Sequence, residues 1–427
     1  MIESLYGKFT ESRGVSTDTR TIKPGDMFFA LKGPNHDANE FAGEAVRKGA
    51  SFVVVDDPML AIKPKFIVVE NTLLALQELA SFHRRRMNIP FIAVTGSNGK
   101  TTTKELIRAV LSTRFRTVAT DGNLNNHIGV PLSVLSVKPD TELAVIEMGA
   151  NKIGDISELC RIAGPTHGII TNISKAHIEG FGNFEGVLRA KTELFDHIAR
   201  MDGVAFINSD NEVFQAMIPR LKNAILYPGR KDFLNCELVR ADPFVTFRSE
   251  SGKEVTTNLI GTYNFENIAA ALCIGKFFKV NEDAAITAVK NYVPANMRSQ
   301  IIEKGDNIII LDAYNANPVS MDAALKTLSG IEGKTRIAIL GDMFELGSIA
   351  EAEHRAIGKL TADSGIEEVI FCGSLMKHAH GMNTYAKYFT DKSSLESFLQ
   401  SRQFSNSAIL IKASRGMQFE TLIHNIN

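Results

Sequence analysis

The chain has 427 residues, too many for one compact core, and the usual domain size predicts about three units of roughly 140 residues each. Its 44% hydrophobic and 22% charged content is that of an ordinary globular chain, and a net charge of −1 excludes a global basic field that would attract nucleic acid or anionic lipid. Any anion site must be local.

The opening MIESLYGKFTESRG mixes acidic and basic residues and has no apolar centre, unlike a signal peptide, and no apolar run reaches the length of a membrane span. Cys160, Cys236, Cys273 and Cys372 lie far apart without C-x-x-C spacing, so they read as buried thiols in a reducing compartment. A cytoplasmic monomer without a nucleic-acid partner is expected.

In residues 1–86, short strand-like runs at 27–31, 52–55 and 66–69 alternate with helical stretches at 41–48 and 72–86, which predicts a small α/β unit. Arg84, Arg85 and Arg86 read as a solvated helix end at its boundary, and Pro90 punctuates the chain after it. From 87 to 294, continuously apolar runs at 91–95, 143–147, 168–173 and 204–208 predict strands buried on both faces of a mostly parallel sheet. After Pro294 the pattern restarts, with strands expected at 307–311, 336–340, 368–371 and 408–411 in a second doubly wound unit over 295–427. No G-x-G-x-x-G occurs there, which argues against a nicotinamide cofactor.

Residues 94–104 read VTGSNGKTTTK, between the 91–95 strand and a helix-like stretch. A strand, a glycine-rich turn and a helix N-terminus in that order form a phosphate cradle. Gly96, Ser97, Asn98 and Gly99 would present backbone N–H groups, Lys100 would reach the β- and γ-phosphates, and Thr101 and Thr102 would lie beside magnesium and phosphate. Val94 stands where the general P-loop pattern has its first glycine, leaving the tighter G-x-x-G-K-T form.

Phosphoryl transfer needs a metal held by oxygen or imidazole. Glu147, at the end of a buried strand, would project onto the same sheet edge as the loop, and His177 follows a strand in a glycine-bounded loop. Lys191 poses a contradiction, because a free ammonium is repelled by magnesium.

The stretches STDTR, TGSNGKTTTKE, NLNNHIGVPL, EMGANKIGDI, KAHIEGFGNFEGVLRAKTELF, NFEN, DAYNANPVSM, LGDMFELG and KASRGMQFE resemble the Mur ligases, the ATP-dependent amide-forming enzymes of peptidoglycan precursor synthesis. The likeness runs over essentially the whole chain, and DAYNANP with LGDMFELG narrows it to the members that add a dipeptide. It implies a three-domain α/β architecture with an N-terminal UDP-binding unit, a central P-loop ATPase unit and a C-terminal Rossmann-like unit. It also implies ligation of D-alanyl-D-alanine to UDP-N-acetylmuramoyl-tripeptide through an acyl phosphate, with ATP and two magnesium ions.

The same resemblance implies residue roles. Ser16, Asp18 and Arg20 would bind UDP, although Ala38 and Asn39 replace the family's Gly-His pair. Thr101, Glu147, His177 and Lys191 would hold magnesium, Lys191 as a carbamate, which turns a repelled cation into an anionic oxygen ligand. Asn123, Asn125 and Asn126 would face the muramoyl substrate. Asn264 and Asn267 would bind adenine, although a helix N-cap is an alternative reading of Asn264, and Tyr263 stands where many relatives have histidine. Arg298 would reach the γ-phosphate and Asp312 the nucleotide, and Tyr314, Asn315, Asn317, Ser414 and Arg415 would hold the peptide substrates. Lys100, Lys191, His177 and Arg298 would then be the catalytic set. The rivals are a sister ligase that adds a single amino acid, and a nucleotide-sugar-binding P-loop ATPase without ligase activity.

Overall fold

The computed structural model describes residues 1–61, 64–174 and 178–426. It is an α/β protein built on three main sheets. In the N-terminal part, Val15–Ser16, Met27–Phe29, Phe52–Val55 and Phe66–Val68 pair in that order, all parallel. One face packs Phe28, Val53 and Val55 on Ala38, Ala42 and Ala45. On the other, Leu76 and Leu79 of helix Thr72–Arg85 enter the same core as Val134 and Ile146 of the central part, so the two parts share buried apolar surface.

Arg84 corrects the expected solvated helix end. Its Nε donates to Ala163 O at 2.9 Å, its Nη2 to Gly164 O at 2.9 Å, and its guanidinium lies 4.0 Å from the Phe91 ring centroid. A cation placed over an aromatic face and bonded to helix-end carbonyls is a strut between units.

The central sheet has six parallel strands in the order Asn223–Tyr227, Val204–Asn208, His167–Ile170, Phe91–Thr95, Leu143–Glu147 and Thr117–Ala119. Chain order reverses around Phe91–Thr95, since the next strands build outward on one side and the later ones on the other. That reversal leaves a crevice at the strand's carboxyl end, where ligands bind in such folds. All five residues of Phe91–Thr95 and of Leu143–Glu147 are buried, as their continuous apolar character predicts.

The third sheet runs Gln300–Lys304, Asn307–Leu311, Ser407–Lys412, Thr335–Gly341, Glu368–Cys372 and Lys387–Phe389. Its first strand is antiparallel and the rest are parallel. Five strands escaped the sequence reading around the main central sheet: Thr117–Ala119, Asn223–Tyr227 and an antiparallel trio, Glu237–Ala241, Phe244–Arg248 and Glu254–Ile260. The two central-sheet strands lie at its edges, and Glu237–Ala241 has no fully buried residue. All four cysteines are free and buried, and no helix among the described residues is long and apolar enough to cross a membrane.

Candidate active site

The phosphate loop leaves the switch-point strand at Gly96 with φ +146° and enters helix Lys100–Leu111 at Gly99 with φ +76°. A Cβ at Gly96 would lie 2.0 Å from Thr171 Oγ1, and one at Gly99 would lie 2.7 Å from Asn267 Oδ1, so conformation and space both demand glycine. The loop is fastened to the segment following the neighbouring strand. Ser97 N donates to Asn172 O at 2.9 Å, Asn98 N to Asn172 Oδ1 at 3.0 Å, and Ser174 N to Ser97 Oγ at 3.0 Å. Lys100 Nζ folds back onto Gly96 O at 2.7 Å and Ser97 O at 3.0 Å. Burial lowers its pKa to about 8, against the attraction of Glu147 and with the repulsion of Arg298.

Glu147 is fully buried where the adjacent strand ends. Its Oε2 accepts from Thr101 Oγ1 at 2.9 Å and its Oε1 from Asn125 Nδ2 at 2.7 Å. Lys104 Nζ stands 3.8 Å from the same carboxylate and donates to Thr120 O at 2.6 Å and Gly122 O at 2.9 Å, tying the asparagine-rich loop to the helix. Asn123 and Asn125 line the cavity, whereas Asn126 Oδ1 accepts from Ile128 N and Gly129 N and shapes the start of helix Gly129–Leu135.

Lys191 projects from helix Phe184–Arg200, is 2% exposed, and has Ala150 O at 3.4 Å and the Phe181 ring centroid at 5.5 Å. Burial, reinforced by the charge of Lys100, pushes its pKa well below the usual lysine range. A neutral amine is the form that adds carbon dioxide, so the setting of Lys191 fits a carbamate. His177 lies outside the described residues. Among the described residues no cluster of three histidine, cysteine or acidic side chains occurs, so these residues suit a cation only with such further oxygen or imidazole donors.

A cavity of about 630 Å³ separates the loop from the C-terminal part. Arg298 lies on it, with its guanidinium 3.7 Å from the Tyr314 ring centroid and its buried Nε without a hydrogen-bond partner among the described residues. Asp312 accepts from Ser299 N at 3.0 Å and from Lys412 Nζ at 2.5 Å, and Lys412, 1% exposed, also donates to Asn315 O at 3.2 Å. Tyr263 OH and Ser299 Oγ are 2.7 Å apart.

Asn264 is not a helix cap, because helix Tyr263–Phe277 is preceded by Thr262 and Asn264 lies within its first turn. Asn264 Nδ2 donates to Ile260 O at 2.8 Å, Asn267 Nδ2 donates to Asn264 Oδ1 at 2.8 Å, and Asn267 Oδ1 accepts from Thr103 Oγ1 at 2.8 Å. Asn317 caps helix Pro318–Ser329 in a capping box with Ser320, and its Nδ2 crosses to Asn98 Oδ1 at 2.7 Å. Asn315 Oδ1 accepts from Ala316 N, Ser414 Oγ accepts from Phe344 N at 2.8 Å, and half-exposed Arg415 pairs with Glu420 at 3.0 Å.

Ser16, Asp18 and Arg20 are not brought to this cavity. Arg20 grips Asp18 at 2.6 Å, which holds that carboxyl below its usual range, and Ser16 Oγ donates to Asp18 O at 3.0 Å. At the departure from the family pattern, Asn39 Nδ2 bridges Asp37 at 2.8 Å and Asp56 at 2.7 Å.

Sequence reasoning passed over Lys104, Asn172, Ser174, Phe344 and Lys412, all of which touch or support the cavity. Lys104 carried a signal, one helical turn after Lys100 on the same face. So did Lys412, a cation closing the apolar run 408–411.

Family profiles match the chain in three places: "Mur ligase family, catalytic domain" over 11–84, "Mur ligase middle domain" over 94–275, and "Mur ligase, glutamate ligase domain" over 297–416. The UDP-N-acetylmuramoyl-tripeptide–D-alanyl-D-alanine ligase of Bacillus subtilis (strain 168) is 33% identical, over 98% of this chain and 93% of its own length. A crystal structure of MurF from Acinetobacter baumannii superposes with a TM-score of 0.88 at 29% identity, covering 100% of this chain and 98% of that one. The MurF ligase of Thermotoga maritima, in complex with ADP, gives 0.83 at 25% identity over 97% of each chain. The three profiles and the full-length likeness to named ligases show that the chain belongs to the Mur ligase family, closest to MurF.

Proposed function

We propose that this protein is an ATP-dependent amide ligase that joins D-alanyl-D-alanine to UDP-N-acetylmuramoyl-tripeptide in peptidoglycan precursor synthesis, acting as a cytoplasmic monomer. The observation that carries the reading is the facing of the Gly96–Thr101 loop by Arg298, Asp312 and Asn317 across one cavity. In this reading residues 1–86 bind the UDP sugar, 87–294 bind ATP, and 295–427 bind the incoming dipeptide.

A carboxylate is a poor electrophile and oxide is a poor leaving group, so the reaction must activate it. The terminal carboxylate of the tripeptide attacks the γ-phosphorus of ATP, the bond to the bridging oxygen breaks, and ADP and an acyl phosphate result. The free amine of D-alanyl-D-alanine attacks the acyl carbon and loses a proton, and the tetrahedral intermediate expels phosphate to leave the amide.

The protein's share is positioning and charge neutralisation. Lys100 would swing from Gly96 O and Ser97 O to the phosphates, and the Nε of Arg298, without a partner among the described residues, would donate from the other side. Asn264 and Asn267 would meet adenine, and Asp312 the nucleotide. Thr101 and Glu147, with His177 and carbamylated Lys191, would hold magnesium, which when bound neutralises the transferring phosphoryl group. Asn123 and Asn125 would face the muramoyl peptide, and Tyr314, Asn315, Ser414 and Arg415 the peptide carboxylates. Closure of the two walls would keep water from the acyl phosphate.

The test is phosphate release from magnesium-ATP by the purified protein, with product mass read in parallel. Release and a gain of one dipeptide are expected only with both UDP-N-acetylmuramoyl-tripeptide and D-alanyl-D-alanine. Gain of a single amino acid would make the chain a sister ligase, and release with neither substrate would sink the ligase reading.

A further inference from the structure

Two exposed apolar side chains line the cavity among its asparagines and charged groups: Phe344 at 41% exposure and Val319 at 45%. A single exposed apolar side chain is ordinary, so what sets Phe344 apart is its place on the cavity and the way its backbone is held. The backbone under Phe344 is unusually well held. Asp342 Oδ1 accepts from Leu375 N at 3.0 Å and Met376 N at 2.9 Å, and Met343 N donates to buried His354 Nε2 at 3.1 Å. Phe344 N donates to Ser414 Oγ, and Glu345 next to it sits at φ +63°, a conformation costly for a residue with a Cβ. Fixed backbone bonds and local strain at one exposed ring are marks of a site built to present it.

The neighbours of the ring indicate what it meets. A Cβ on Gly416 would lie 3.1 Å from Phe344 Cε2, so the ring edge lies against the segment that carries Arg415. D-alanyl-D-alanine carries one ammonium, one carboxylate and two methyls, and its carboxylate and C-terminal methyl share one carbon. A receptor for that end must set a cation beside apolar surface. We propose that Phe344, together with Val319, is a specificity-determining surface for the methyl groups of the incoming dipeptide, with Arg415 beside it for the carboxylate. The inference rests on the ligase reading above.

The test compares D-alanyl-D-alanine with D-alanylglycine, which lacks the C-terminal methyl, in the wild type, Phe344→Ala, Phe344→Leu and Val319→Asn. The wild type should prefer the methylated dipeptide by about tenfold in kcat/KM. Phe344→Ala should raise the KM for D-alanyl-D-alanine about tenfold, leave the KM for ATP and for the UDP substrate unchanged, and bring the preference near parity. Phe344→Leu should keep most of the preference. An unchanged preference in Phe344→Ala overturns the inference, and so does a rise confined to the UDP substrate, which would assign the ring to the tripeptide. Should Phe344→Ala fail to fold, Val319→Asn, at an exposed position in the first helical turn, decides by the same ratio. A wild type that forms no dipeptide product would instead remove the ligase reading.

Discussion

On the central wall of the cavity two chains of side-chain hydrogen bonds are closed before any ligand arrives, whereas on the C-terminal wall bonded groups such as Asp312 and Lys412 stand beside a few that are open. Thr101, Glu147 and Asn125 form one chain of hydrogen bonds, and Thr103, Asn267 and Asn264 form another. Opposite them, Arg298 has a buried Nε without a partner among the described residues, Arg415, paired with Glu420, is half exposed, and Phe344 is 41% exposed. A network satisfied in advance makes a rigid mould, while unspent donors are completed by what binds. In the proposed reading the nucleotide would meet the closed network on one side and the open Arg298 on the other, and the peptide substrates would meet the partly open C-terminal wall.

The comparison breaks most sharply at Lys100. Its amine is parked on loop carbonyls rather than paired with a carboxylate, so its charge is free for phosphate. Lys100→Ala should lower the rate of phosphate release about a thousandfold, the scale of losing a preorganised transition-state donor. A loss below tenfold would mean that the central wall is scaffold and that the C-terminal arginines carry the charge.

Lys191 tests whether the mould needs a covalent addition. Lys191→Ala should lose about a hundredfold in kcat and recover part of it with short-chain carboxylic acids, whose oxygens replace the carbamate. Full activity of the bare mutant would remove the carbamate and leave Lys191 as a buried packing residue beside Phe181.

The two walls also differ in how far the sequence disclosed them. The strands 91–95 and 143–147 and the phosphate loop were legible because burial on both faces imposes continuous apolarity and because a glycine-turn-lysine order has few other uses. Arg298, Asp312 and Asn267 carry no local pattern. They meet only through tertiary structure, so the family resemblance, and not spacing, placed them. Phe344 was invisible in LGDMFELG, because an aromatic in an apolar context reads as core, and only its exposure sets it apart. Arg84 failed the opposite way, a charge in a charged run whose carbonyl partners lie 79 and 80 residues onward.

The smallest effect is expected where the walls touch. Asn317 performs two tasks at once, capping helix Pro318–Ser329 and reaching Asn98 in the phosphate loop. Serine is as good an N-cap as asparagine but is too short to cross the cavity. Asn317→Ser should therefore leave Tm nearly unchanged while raising the KM for ATP about fivefold, the equivalent of one neutral hydrogen bond of about 1 kcal/mol. Asn317→Ala should show the same KM and, in addition, a Tm lower by about 2–4 °C for the lost cap. A rise in the KM for D-alanyl-D-alanine instead of ATP would place Asn317 among the open donors of the C-terminal wall. The contact with Asn98 would then be a resting partner that the dipeptide displaces, and the contrast between the two walls would extend to a side chain that spans them.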